Sequence, residues 1–175
     1  MKRTKVLVPL ATLLAAGAIA VGSGATFNST TGNTISAVTA GTLTHTNSKA
    51  DAAIFNLTNM KPGDVLNGTL TLTNTGSLPA AFSLMETSSS NGFAGSNLTL
   101  DIVDTTTGTN VFSGTFGALA DDAKLELGTW ASNAAHTFKF TVKLNQDTPN
   151  TDQGKTAGAT YRWSSVQLAG DTFNQ

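Results

Sequence analysis

Phe138-Lys139-Phe140-Thr141-Val142-Lys143-Leu144 is the stretch that decides the fold class. Four apolar side chains alternate with Lys, Thr and Lys, and a period of two sends successive side chains to opposite faces of a strand. Leu66 to Asn74 repeats the pattern: Leu66, Leu70 and Leu72 share one parity, while Asn67, Thr69, Thr71 and Thr73 take the other. Ala53-Phe55-Leu57, Phe82-Leu84, Leu98-Leu100-Ile102 and Leu125-Leu127 add shorter alternations. Turn clusters separate them at Lys61-Pro62-Gly63-Asp64, Asn74-Thr75-Gly76, Asn91-Gly92 and Thr107-Gly108. No stretch carries a 3.6-residue period. The pattern predicts an all-β fold, an antiparallel β-sandwich of jelly-roll type. Its predicted core is Phe55, Leu57, Leu70, Leu72, Phe82, Leu84, Leu100, Phe138, Phe140, Val142 and Trp163.

Two segments near the end carry expectations of their own. Tyr161 and Trp163 differ in parity from Val166 and Leu168, so one strand there has to change face near Ser164-Ser165, most cheaply through a β-bulge. The polar run from Gln146 to Thr156, with Pro149 and Gly154, reads as an exposed connection and as the most mobile loop.

At the other end, Lys2, Arg3 and Lys5 precede an apolar run from Val6 to Val21, the pattern of a secretory signal peptide. Ser23 and Ala25 supply the small side chains that a signal peptidase accepts, so cleavage is expected between Ala25 and Thr26. An uncleaved membrane anchor is the alternative. The expected organisation is 1–25 signal peptide, 26–34 N-terminal segment and 35–175 β-sandwich domain.

Of ten Lys and Arg residues, three leave with the signal, so seven face eleven acidic ones and the mature chain carries a net charge of −4. Nucleic acid is disfavoured as a partner, since its binding relies on clustered cations. Charged residues make up 12% of the 175, against about 25% in ordinary domains. Such a surface repels its own copies weakly. Cysteine is absent, so core and sheet pairing have to hold the fold without disulfides.

Catalytic chemistry has little to stand on. His45 and His136 are 91 positions apart and no His-Glu-x-x-His is present, so each histidine reads as a polar residue at a strand edge or turn. Asp101 with Asp104, Asp121 with Asp122 and Asp147 with Asp152 form no EF-hand and read as solvated loop residues. Serines lack a Gly-x-Ser-x-Gly elbow. No catalytic residue, metal site or cofactor is expected. Asn28, Asn56, Asn67 and Asn97 begin Asn-x-Ser/Thr triplets, which chance supplies readily in a chain this rich in Asn and Thr.

Several segments, in order, carry a resemblance: Phe27-Asn28 past the cleavage point, Ala40-Gly41-Thr42-Leu43, Asn56-Leu57-Thr58-Asn59-Met60-Lys61-Pro62-Gly63-Asp64, Asn74-Thr75-Gly76-Ser77-Leu78 and Gln153-Gly154-Lys155-Thr156. Together they resemble the TasA/camelysin family of secreted biofilm-matrix proteins. The resemblance implies a jelly-roll subunit of extracellular fibres whose mature N-terminal segment inserts as a strand into the next subunit. Here that segment is Thr26 to Thr34, with the donor residues Thr26, Phe27, Asn28, Ser29, Thr30 and Thr31. Phe27, Ser29 and Thr31 would share the inward face. Phe27 would anchor the segment, its burial contributing about 1.5–3 kcal/mol. The implied partners are further copies of the chain, signal peptidase during export and other matrix proteins, with no membrane contact after cleavage. The alternatives are a monomeric Ig-like surface binding module and the metallopeptidase activity for which camelysin is named.

Overall fold

A computed structural model describes residues 41–54 and 60–171 of the chain. Eight strands follow in order: β1 (His45–Asn47), β2 (Val65–Asn74), β3 (Ala80–Asn91), β4 (Leu98–Asp104), β5 (Thr109–Thr115), β6 (Lys124–Trp130), β7 (Ala135–Leu144) and β8 (Ala157–Gln167). They form two sheets, one of order β1-β2-β7-β4-β5 and one of order β6-β3-β8. Every pairing is antiparallel.

The two longest alternations are hydrogen-bonded neighbours at the centre of the larger sheet. Leu70 stands opposite Phe138, and Gly68 opposite Phe140. On the far side of β7, Leu100 faces Val142 and Ile102 faces Phe140. Phe138, Phe140 and Val142 are buried while Lys139 and Lys143 stand in water, as the parity predicts.

The smaller sheet packs on this face. Phe138 meets Trp163 at 4.9 Å between ring centroids, and Phe140 meets Tyr161 at 5.5 Å. One apolar cluster draws on both sheets, a sandwich-like arrangement. Leu70, Leu72, Phe82, Leu84 and Leu100 are buried in it as expected, together with Ala80, Leu98, Ile102, Phe116, Trp130 and Leu144. Trp163 is half-buried, because among the described residues β8 has a neighbour on one side only. Phe55 and Leu57 lie outside the described residues, as do the signal peptide and the donor segment.

Two expectations need correction. β8 does not change face at Ser164-Ser165: Tyr161, Trp163 and Ser165 share the inward row, and Val166 stays exposed in the outward row with Arg162. The irregularity lies one strand away, at Thr87, which has no partner between Glu86–Tyr161 and Ser88–Thr160. An exposed valine is tolerated on the outward row, so nothing forces the chain to turn.

The Gln146–Thr156 connection is largely exposed, as expected, but its Asp152 is not a solvated loop residue. The connection forms a short 3-10 helix, Asn150–Asp152, and Asp152 is buried. The Asp152 carboxylate accepts the Asn97 amide at 2.7 Å and the Ala94 N–H at 3.2 Å, tying the connection to the turn before β4.

Candidate functional site

The motif residues singled out in the sequence build the two ends of the sheets. At the first, Gly63 has φ +90°, a conformation that favours glycine, and its N–H donates to Leu144 O at 2.9 Å. Asp64 Oδ2 accepts the Lys61 N–H at 2.9 Å, and this backbone hydrogen bond is the main cause that holds the carboxyl below its ordinary value. The Lys61 ammonium, 3.4 Å away and largely exposed, adds little. Lys61, Pro62, Gly63 and Asp64 are a turn that fastens β2 to the end of β7.

The second motif does more than turn the chain. Asn74 is fully buried, and its Nδ2 donates to the carbonyls of Leu78, Trp130 and Ala131 at 3.0–3.1 Å while Oδ1 accepts the Gly76 N–H. Its own N–H and C=O bond Ala134 and Asn133. One side chain thus joins the exit of β2, the entry to β3 and the β6–β7 connection. Thr75 and Gly76 both donate to Thr44 O at 3.0 Å, and Ser77 donates to Thr42 O at 3.1 Å. A Cβ on Gly76 would run into the Thr42 carbonyl oxygen, so glycine is required there. Two motifs more than thirty residues apart are one structural unit.

Chemistry of another kind sits between β5 and β6. A cleft of about 210 Å3 is lined by Asp104, Thr109, Glu126 and His136 over a floor that includes Leu125 and Phe138. His136 Nδ1 lies 2.7 Å from Asp104 Oδ2, a pair the sequence reading missed. Asp104 also accepts the Thr106 N–H at 2.9 Å and the Thr107 hydroxyl at 3.0 Å. Burial pulls the Asp104 carboxyl upward, but hydrogen bonds from His136, Thr106 and Thr107 outweigh it and leave the carboxyl below its ordinary value. The Asp at the entry of a Thr-Thr-Thr-Gly turn was the available signal, since such an Asp bonds the N–H two residues on.

From His136 a column of rings crosses the core. Its imidazole stacks on Trp130 at 4.0 Å, Trp130 stacks on Phe82 at 4.0 Å, and His45 meets the edge of Phe82 at 5.7 Å. His45 Nδ1 in turn bonds Ser165 Oγ at 2.8 Å. The two histidines therefore terminate opposite ends of one stack and cannot serve a common ion.

Residues 2–99, more than half of the chain, match the family described as camelysin metallo-endopeptidase. The chain belongs to the camelysin family. No curated protein matches it. The family's description implies a metal, and the donor set tests that. The undescribed residues contain no His, Cys, Asp or Glu, so every candidate ligand of these types is in view. Among the described residues no three of them converge on a point that could hold an ion. A hydrolytic zinc takes about three protein ligands with a water in the fourth position. In this camelysin-family chain the residues do not fit such a centre. His136 with Asp104 has the oriented base of an acyl-transfer site, but among the described residues no Ser, Thr or Cys oxygen or sulfur is hydrogen-bonded to that imidazole.

Proposed function

We propose that the mature chain is a structural subunit of an extracellular fibre and not a peptidase. In this reading residues 1–25 direct export, a signal peptidase cuts between Ala25 and Thr26, and the freed segment Thr26 to Thr34 pairs with the sheet of the next copy. The observation that carries it is what the family's shared region builds. Its motif residues are spent on joining sheet ends around Asn74, while among the described residues no three His, Asp or Glu side chains converge. A fibre needs a stiff protomer with available sheet edges, whereas a hydrolase needs convergent ligands.

We also read the connections as a jelly roll. The pairs β2·β7, β3·β6 and β4·β5 are nested in sequence and alternate between the two sheets, as when one long hairpin is rolled up. The cleft beside His136 is the one feature that favours the second reading, a monomeric binding module at the cell surface.

Sedimentation and negative-stain imaging of protein beginning at Thr26 test the proposal. The wild type is expected to form fibres, and Phe27→Asp or deletion of Thr26 to Thr31 to leave folded protein without them. Casein is expected to survive incubation with material free of host proteases. Wild-type fibres from the deleted chain would defeat the donated strand, and metal-dependent casein cleavage would restore the peptidase.

A further inference from the structure

The sheet edges are not equally protected. Natural edge strands are blunted by shortness, bulges, charge or proline, because an open row of N–H and C=O groups pairs with whatever strand comes by. Among the described residues four strands have one neighbour each. β1 has three residues. β5 is bulged at Val111, which falls between the pairs Ile102–Phe112 and Val103–Asn110. β6 is bulged at Leu127 and carries Lys124 and Glu126. β8 runs for eleven residues without proline, lysine or acid, has Arg162 as its single charged side chain, and leaves its one irregularity to Thr87 on β3.

Apolar side chains are exposed on the same stretch of chain. Val166 and Leu168, at and just past the end of β8, are 42–52% exposed, and Leu43, two residues before the His45 that bonds Ser165, is 41% exposed. They are three of the four large apolar side chains that stand exposed among the described residues.

We propose that β8 pairs with β8 of a second copy, antiparallel about a two-fold axis, joining two three-stranded sheets into one of order β6-β3-β8-β8-β3-β6. A two-fold axis normal to the sheet sets opposite each other residues of equal parity, so the inward row of Tyr161, Trp163 and Ser165 continues the core layer from one copy into the next. Charge selects the register. An axis through Arg162 would oppose two guanidinium groups, whereas an axis through Trp163 or Ser164 sets Arg162 against Ser164 or Val166. In the second case its aliphatic stem covers exposed Val166. A copy is the fitting partner because the chain is only 12% charged and the edge offers no acidic complement to recruit a basic strand. The contact goes beyond strand donation at the N-terminus and does not depend on it.

The absence of cysteine makes the test direct. Single-cysteine chains Ser164→Cys, on β8, and Asn110→Cys, on β5, are oxidised mildly in a Phe27→Asp background, where donation is disabled. If the axis runs through Ser164, Ser164→Cys is expected to give at least fivefold more covalent dimer than Asn110→Cys. A mixture of Ser164→Cys and Arg162→Cys chains exceeds either alone if the axis runs through Trp163. Val166→Lys with Leu168→Lys, both at exposed positions, is expected to weaken dimerisation at least tenfold in sedimentation equilibrium with an unchanged melting temperature. Equal cross-linking at Ser164 and Asn110 with no excess in the Ser164→Cys and Arg162→Cys mixture, or a lysine variant that sediments like its parent, overturns the proposal. Persistence of fibres in the Phe27→Asp chain would instead count against strand donation and leave the β8 result standing.

Discussion

Asp104 and Glu86 are both carboxyl groups inside the sandwich, 5% and 1% exposed, and they are treated in opposite ways. Asp104 receives an imidazole, a backbone N–H and a hydroxyl. Glu86 completes no side-chain hydrogen bond among the described residues: neither oxygen has a partner there, and the hydroxyl of Tyr161, its opposite neighbour on β8, lies close by without completing one. Burial, with the Glu86 carboxyl close by, pushes the Tyr161 phenol well above its ordinary value. The cations of the flanking strands are one residue out of register. Lys124 and Arg162 both stand opposite Met85, whose side chain leaves the other face of β3. A single step of parity separates a carboxyl between two cations from a carboxyl between none.

The largest expected effect breaks the satisfied member. Asp104→Leu leaves the Thr106 N–H, the Thr107 hydroxyl and the inner imidazole nitrogen without their acceptor, and should cost about 3 kcal/mol, the scale for removing one partner of a buried pair. The urea midpoint should fall without a change in slope. Glu86→Met should act in the other direction, raising stability by about 1–3 kcal/mol, because it fills similar space and removes an unsatisfied buried group. Adding Met85→Glu should raise it further, as the carboxyl then lies between Lys124 and Arg162. A Glu86→Met chain that melts lower than wild type would mean that the carboxyl has a partner, and the contrast between the two acids would collapse.

The sequence exposed the layers of this fold and hid its cross-connections, for one physical reason. Alternation is local, so Phe138, Phe140, Val142, Leu70 and Leu72 declare their face without knowledge of their neighbours. The same parity places Glu86 inward with Phe82 and Leu84, a signal that was available and points to a buried acid. Which strands pair is not local. Asp104 meets His136 across 32 positions because β4 pairs with β7, and neither residue's surroundings state that pairing. Asp152 looked like loop solvation for the same reason, its partners Ala94 and Asn97 being more than fifty residues away. Trp130 follows Gly128-Thr129 at a bulge that breaks alternation on β6, so its place in the ring column had no period to betray it. Asn74 was legible as a turn residue and not as the joint of three segments, since two of its three carbonyl partners, Trp130 and Ala131, lie more than fifty residues away.

The smallest expected effect is in acid, and it tests the satisfied carboxyl of Asp104. The folded-state value of Asp104 lies below its ordinary 3.8, so the folded protein holds this group ionised where the unfolded chain begins to protonate it. A depressed value contributes stability that is present above 3.8 and is lost as pH falls through the lower folded value. Wild-type melting temperature should therefore hold from neutrality to about pH 5 and decline from about pH 4 downward. Asp64 shifts in the same direction but is the more exposed of the two, so Asp104 should dominate the slope. Asp104→Asn keeps the shape, starts from a lower melting temperature at neutral pH, and should lose less between about pH 5 and about pH 2. Parallel acid limbs for wild type and Asp104→Asn would show that the hydrogen bonds from His136, Thr106 and Thr107 do not favour the ionised carboxyl, and that Asp104 is tolerated in the core for its shape alone.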